Sequence, residues 1–561
     1  MSTEGPKWGL QLFWRENRVV EFRSRWPVQI VLLAVAVALL YGPFLANPLV
    51  FDDLGFFQAG TVQPYSAGDA HFGLRWFPYI TLGLTYSFVG QDPLWYRVGN
   101  LLLHVTVGVS LYALFIQILH LCRIPDRKQS LSAEWLAFFA ALAFVLNPVA
   151  VYGPGYLIQR SIVMATLFTL LMWLSLLLGL ERRGRKWLWL SVGFYFLAVF
   201  SKEHAIMAPA VALALVVLHV RRSKPEARPQ QWQHEAARLW PVFLLYALIA
   251  VFVIFATRGL LGSIYEPHSE EVLEDFTASL DHPYLLSVIT QCWQFFKYLL
   301  LWLVPNPQWM SIDMREPFAA TLTAWPQILG AAGYAVLLLA GARLLWRGGA
   351  WGLAGLSLLV PALLFTTEFS TVRIQEQFVL YRSYLWMPLL FGLFPLALQR
   401  LDRRLAIALM VVVPAALGAL ALDRLVTFSN PILLWDDAVR LTTGREHLHG
   451  TARTIYIRGY YWNKYSFNRN AIEDFDRALA LHPNFPAALK ERGRAKMGLG
   501  QYNEALADFN RAIQLRPNYN QAYEGRAEVL DALGSNDAAR RDYQQACSLG
   551  WQQACAKGGK H

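Results

Sequence analysis

Apolar runs, most of roughly 17–25 residues, recur from residue 27 to residue 422, and runs of that length can cross the hydrocarbon core of a bilayer. No single water-soluble core can absorb so many runs. Charged residues make up 16% of the chain and hydrophobic residues 55%, with a mean hydropathy of +0.31, less charge than a soluble protein of this length carries. The expected fold class is therefore all-α, a polytopic membrane helix bundle. Spans are placed at 27–46, 95–118, 134–150, 160–180, 187–201, 205–220, 239–258, 325–346, 351–367, 383–399 and 404–422, about eleven crossings. The segments 76–90 and 285–304 are apolar and rich in aromatics, and read as interfacial or re-entrant helices.

With these spans the basic loops fall on one side: Arg123/Arg127/Lys128, Arg182/Arg183/Arg185/Lys186, Arg221/Arg222/Lys224/Arg228, Arg343/Arg347 and Arg400/Arg403/Arg404. That is the positive-inside pattern. It accounts for the net charge of +11 without invoking nucleic acid, which is not expected as a partner. The N-terminal segment 1–26 (Lys7, Arg15, Arg18, Arg23, Arg25) leads into a retained first membrane helix and is placed in the cytoplasm. Short loops point to a bacterial inner membrane. The opposite face collects isolated polar residues: Asp52, Asp53, Arg75, Arg97, Arg160, Lys202, Glu203, His204, Arg315, Glu376 and Arg382. Helix capping, snorkelling or packing ion pairs could account for any one of them, but less readily for the set.

From about residue 450 the pattern becomes polar and helical, with self-similarity at a spacing of 34 residues. Gly459 matches Gly493, Ala471 matches Ala505 and Ala539, Phe475 matches Phe509 and Tyr543, Ala478 matches Ala512 and Ala546, and Pro483 matches Pro517. This is the tetratricopeptide (TPR) period, in which small residues let paired helices approach, an aromatic fills the gap and Pro ends the second helix. The chain thus divides into residues 1–26, a membrane domain over 27–425, and a linker with a C-terminal TPR α-solenoid over 426–561. Trp435-Asp436-Asp437 falls in the linker. By the crossing count the array is non-cytoplasmic, and in an oxidising compartment Cys547 and Cys555 could pair and cap the last repeat. Cys122 and Cys292 are expected to be unreactive.

No P-loop, HExxH, paired CxxC or G-x-S-x-G elbow is present. What remains is the Asp52-Asp53 pair directly after the first apolar run, facing a set of cations. Carboxylates at a membrane boundary are costly and usually functional. A carboxylate near a hydroxyl can act as general base, and Arg and Lys can hold a phosphate as charge builds on it. The combination suits transfer of a group from a lipid phosphate to a hydroxyl. A second reading makes the pair an N-cap and first-turn acid for the helix beginning near Leu54.

Taken together, these features resemble the GT-C glycosyltransferases, and more specifically the transmembrane-and-TPR O-mannosyltransferases and their bacterial relatives. Several stretches carry the likeness. Arg75-Trp76-Phe77-Pro78 followed by Trp95-Tyr96-Arg97-Val98-Gly99-Asn100-Leu101-Leu102-Leu103-His104 is similar to the family's R-P-L…H-x-x-N-x-x-L-H region. Phe144-Val145-Leu146-Asn147-Pro148 with Gln159-Arg160-Ser161 resembles its F-x-x-H-P…R loop. Ser201-Lys202-Glu203-His204 resembles its K-E turn, and Glu376 to Ser383 resembles its E-R-x-L-Y-x-P-S stretch. Trp76 and Phe77 interrupt the first motif, Asn147 replaces a His, and Arg382 stands at a Pro position.

The resemblance implies inverting transfer from a polyprenyl- or dolichyl-phosphate sugar, with Asp52 or Asp53 as base and Asp52 leading. It assigns Arg160, Lys202 and Arg382 to the donor phosphate and Glu203, His204 and Glu376 to orientation; Arg75 could serve in either role. No further acidic cluster accompanies the pair, so no metal is expected. The expected partners are a lipid-linked sugar donor, membrane lipids and a protein or peptide acceptor presented by the array. The other readings are transfer to a lipid-linked glycan or surface polysaccharide, and a non-catalytic scaffold recruiting envelope or pilus assembly factors. A transporter is disfavoured because the polar residues avoid mid-membrane.

Overall fold

The computed structural model describes residues 26–58, 61–68, 72–124, 131–259, 261–263, 280–374 and 376–559. The basic residues Lys7, Arg15, Arg18, Arg23, Arg25, Arg127 and Lys128 lie outside them. Among the described residues the chain is helical, with no strand and one isolated bridge between Met314 and Phe378.

The first part runs through α1 (Trp26–Tyr41), α2 (Asp52–Gln58), α3 (Trp76–Val89), α4 (Pro93–Leu121), α5 (Ala133–Val145), α6 (Arg160–Arg182), α7 (Arg185–Ser201), α8 (Ala208–Arg221), α9 (Arg228–Ala256), α10 (Pro283–Leu303), α11 (Gln327–Arg347), α12 (Gly349–Phe365) and α13 (Arg403–Thr427). Local chemistry sets several of the ends. Asp92 caps α4 by accepting from the Leu94 N–H at 3.0 Å, with Pro93 in its first turn. Asp402 caps α13 in the same way through Arg404 N–H at 2.9 Å.

Eight of the described segments are long and apolar enough to cross a membrane by length and composition: Pro27–Phe44, Pro93–Leu121, Leu157–Arg182, Glu203–Arg221, Pro225–Ala256, Gln327–Arg347, Gly349–Ser370 and Arg403–Thr427. Inner and outer members differ sharply. The apolar window of 157–182 is 78% buried, whereas those of 27–44, 225–256, 327–347 and 403–427 are each 22% buried. The outer helices turn Val28, Val31, Leu39, Leu248, Val251, Phe255, Leu339 and Val411 outward. Continuous apolar faces of this kind are compatible with membrane association.

Three of the expected spans are shorter or broken. Segment 134–150 is helical only to Val145, because Pro148 has no N–H to continue the ladder and Asn147 instead accepts from Val149 N–H at 3.0 Å. Segment 187–201 lies in a helix of 17 residues. Segment 383–399 breaks into Ser383–Trp386, Pro388–Gly392 and Leu393–Leu398, with prolines at 388 and 395.

The second part is α14 (Pro431–Thr442), then three antiparallel pairs, α15 (Thr451–Lys464) with α16 (Asn468–Leu481), α17 (Pro486–Gly498) with α18 (Tyr502–Leu515) and α19 (Asn520–Ala532) with α20 (Asn536–Ser548), closed by α21 (Gln552–Lys557). The 34-residue spacing has the expected physical basis. A Cβ on Gly459 would stand 2.9 Å from the Phe475 ring, and one on Gly525 would stand 2.4 Å from Phe509, so larger residues there would push the pairs apart. A second periodic feature joins them. Arg458, Arg492 and Arg526 each grip the aspartate sixteen residues on, Asp474, Asp508 and Asp542, through both oxygens. Cys547 and Cys555 form a disulfide that pins α21 to α20.

The array is tied to the helical bundle. Thr454 of α15 donates to Asp313 at 2.7 Å, and Arg315 donates to the same carboxylate at 2.7 Å. Arg424 of α13 pairs with Asp437 of α14 at 2.7 Å, and Arg445 with Glu316 at 3.3 Å.

Candidate functional site

The loop between α1 and α2 sets the geometry. Phe51 takes φ 50°, a left-handed conformation that a bulky residue adopts only where its surroundings hold it there. This turn sends the two aspartates to opposite fates. Asp53 is fully buried, and its oxygens accept from Ile158 N–H at 2.9 Å and Val50 N–H at 3.2 Å. Burial pushes its carboxyl up to about 7, against the pull of Arg97 and the two amides. Arg97 itself donates to the carbonyls of Asn47, Pro48 and Gly155, bracing the same loop. A cavity of about 20 Å³ beside Arg97 and Asn47 has room for about one water, not a sugar.

Asp52 stays open to solvent in a crowded polar recess. Its N–H donates to Tyr156 Oη at 3.0 Å, and Tyr156 also hydrogen-bonds to its carboxylate. Burial among the surrounding groups raises the Asp52 carboxyl; Tyr156, Arg453 and Lys202 pull it back, and Glu376 pushes it further up.

Beside this recess runs a continuous ion-pair network. Arg75, also left-handed at φ 62°, holds Glu203 through two nitrogens. His204 lies 3.6 Å from Glu203 and 3.0 Å from Glu368. Glu368, 1% exposed, takes Arg382 at 3.0 Å and Arg373 at 3.8 Å, and Arg382 reaches Glu376 at 3.0 Å.

Lys202 is the exception. It is 4% exposed and, among the described residues, has no carboxylate within ion-pair distance; its Nζ sits 5.6 Å from the centre of the Tyr381 ring. Burial, reinforced by Arg75 and Arg382, lowers its ammonium to about 7, with Glu203 and Glu376 opposing. An unpaired buried cation is unfavourable unless something fills the place of its counter-ion.

Of the expected site residues, Asp52, Arg75, Lys202, Glu203, His204, Glu376 and Arg382 meet in this one region. Arg160 does not join the network: it is buried and donates to neutral oxygens of Asn100 at 2.8 Å, Tyr96 at 2.9 Å and Thr81 at 3.3 Å, tying α6 to α4 and α3. Asp53 serves the loop beneath. Glu368, Arg373, Tyr156, Tyr381 and Arg453 were not anticipated from sequence. Glu368 carries the signal that singled out Asp52, an acid at the end of an apolar run, and was legible on that ground. No group of His, Cys, Asp and Glu able to hold a metal ion occurs among the described residues.

The tetratricopeptide repeat family matches residues 486–519, the α17–α18 pair with the turn that follows. No curated protein matches the sequence. Among solved structures the chain is similar to a crystal structure of MamA, with 21% identity over 25% of this chain and 77% of MamA at a TM-score of 0.20. It is also similar to the APC/C hetero-tetramer Cut9-Hcn1, with 13% identity over 89% of this chain and 99% of that one at a TM-score of 0.23. Neither likeness bears on function. The class defined so far is an all-helical protein with long apolar helices and a TPR array, a kind of scaffold that commonly mediates protein interactions.

Proposed function

We propose that the chain is a membrane glycosyltransferase that moves a sugar from a polyprenyl-phosphate donor to a hydroxyl of a polypeptide. One observation carries the reading: a solvent-open carboxylate, Asp52, shares a recess with a buried ammonium, Lys202, that has no carboxylate at ion-pair distance among the described residues. Asp52 takes the proton of the incoming hydroxyl. The hydroxyl oxygen bonds to the anomeric carbon, and the carbon–oxygen bond to the phosphate breaks on the opposite face. Its electron pair leaves with the polyprenyl phosphate, whose growing negative charge Lys202 offsets. Arg75 and Arg382 frame that anion while Glu203 and Glu376 hold their guanidinium groups in place. The lipid chain lies among the apolar helices, and the array presents the polypeptide. The disulfide in the array and the one-sided basic loops support a periplasmic array on a bacterial inner membrane; a reporter fused after residue 425 tests this, and a cytoplasmic reading would reverse the side.

The direct test compares wild type, Asp52→Asn and Asp53→Asn as purified proteins supplied with radiolabelled polyprenyl-phosphate sugars and hydroxyl-bearing peptides. Asp52→Asn is expected to lower the transfer rate by about 10²–10⁴-fold while folding normally. Asp53→Asn is expected to lower the yield of folded protein, because it alters a buried acceptor of two amides. Equal transfer by Asp52→Asn and wild type would remove the catalytic role. It would favour the scaffold reading, which the dense internal pairing of the repeats also suits.

A further inference from the structure

Three aromatic rings form a row along the recess. Phe51 lies 6.3 Å from Tyr156, and Tyr156 lies 6.0 Å from Tyr381. Asp52 is bonded to the middle ring. A cation stands at each end of the row: Lys202 over Tyr381 at 5.6 Å, and Arg453 over Phe51 at 5.9 Å. Arg453 belongs to α15, the first helix of the TPR array, and is half-buried. Among the described residues its guanidinium has neither an ion-pair nor a hydrogen-bond partner. The neighbouring cations of the array, Arg458, Arg492 and Arg526, are each clamped on an aspartate. Phe51 also packs edge-on against Trp435 of α14 at 5.3 Å, so this end of the recess is built jointly by the loop before α2 and the repeat domain.

From this arrangement we infer that Arg453 is the acceptor-side recognition residue of the recess, supplied by the repeat domain, and that it selects polypeptides carrying an acidic side chain next to the reacting hydroxyl. The inference rests on the reading above that the acceptor is a polypeptide. The chemistry is complementary. Lys202 at one end faces the phosphate that departs, and Arg453 at the other faces a carboxylate on the chain that arrives. Asp52 lies between them, where the hydroxyl must be deprotonated. A guanidinium fork suits a carboxylate, and the half-buried setting strengthens the pairing relative to open water. Arg453 is part of the helix that begins the array, so the repeat domain itself supplies a side chain beside Asp52.

The test is a binding measurement on the full-length protein in detergent. One probe is a peptide with Asp on both sides of each Ser and Thr; the other is its counterpart with Asn in place of every Asp. Wild type is expected to bind the acidic peptide about tenfold more tightly. Arg453→Gln is expected to bring the ratio near one, Arg453→Lys to retain part of the preference, and Arg453→Glu to reverse it. Lys202→Gln is expected to keep the ratio while weakening binding of undecaprenyl phosphate. Equal affinity of wild type for the two peptides, or an undiminished preference in a folded Arg453→Gln protein, would overturn the assignment. The ratio needs no turnover, so loss of the transferase reading, scored by the Asp52→Asn comparison, is registered separately.

Discussion

At the scale of single residues, adjacent aspartates of identical chemistry divide into two roles because one peptide unit turns Asp53 under the loop and leaves Asp52 in water. Lys202 illustrates the same dependence on surroundings. Its ammonium titrates near 7 because burial disfavours charge, and Arg75 and Arg382 add to this while Glu203 and Glu376 oppose it. A bound phosphate favours the charged form, so binding takes up a proton above that pH. The sign follows: affinity for a polyprenyl-phosphate sugar, a diester whose own charge is constant, is expected to fall as pH rises past 7, by about tenfold per unit. Calorimetry at several pH values in buffers of different ionisation heat reads both the fall and the proton uptake, and Lys202→Arg is expected to flatten the profile. The sequence made Asp52, Lys202, Glu203 and Arg382 legible, since a charge beside an apolar run is costly wherever it lies. It did not show that Arg75 meets Glu203 across 128 residues, or that His204 meets Glu368 across 164. Nor did it show that Arg160 is consumed by backbone and amide oxygens, because which partner a guanidinium meets is decided by how helices cross.

At the scale of elements, the start of α15 shows how a turn can serve an interface. Gly450 precedes the helix at φ 84°, and a Cβ there would stand 2.1 Å from Arg315 Nη1. Glycine is required on both counts. Gly450→Ala is expected to cost about 1–3 kcal/mol in backbone strain and, beyond that, to displace Arg315 from its place beside Asp313. Gly444→Ala shares the left-handed backbone, at φ 75°, but meets nothing within 4 Å. Thermal unfolding of the two variants should therefore show the larger loss at 450. The repeat helices themselves were legible, because their register repeats in the sequence; the Arg–Asp clamps repeat at the same spacing and were open to the same reading. The breaks at Pro148 and Pro388 were also signalled by residue type, but hydropathy alone ran the spans through them.

At the scale of the whole molecule, the recess exists only where the bundle and the repeat domain meet. The loop before α2, the turn before α6, the turn after α7, the segment after α12, and α15 each contribute a side chain. Among the ties between the two parts is a small polar joint, Asp313 with Arg315 and Thr454, in which Arg315 is 4% exposed. Asp313→Ala removes the carboxylate that Arg315 and Thr454 share, a loss of about 3–5 kcal/mol when a buried pair is broken. Limited proteolysis is expected to release the repeat domain faster from this variant, while unfolding of the apolar bundle stays at the wild-type temperature. If the domain is released at the wild-type rate, the joint does not help to tie the two parts.

Hydrophobic run length and the 34-residue period are one-dimensional properties of the chain. They point to the helical class and to the pairing of the repeat helices from residue order alone. The partners of each charge depend on the packing of distant segments, and only the tertiary structure decided those. It placed Asp53 beneath the loop, spent Arg160 on helix packing, left Lys202 without a carboxylate at ion-pair distance among the described residues, and brought Arg453 to the side of Asp52. The physical reason is that burial and electrostatic pairing fall off over a few ångströms in space, whereas periodicity is carried along the chain itself.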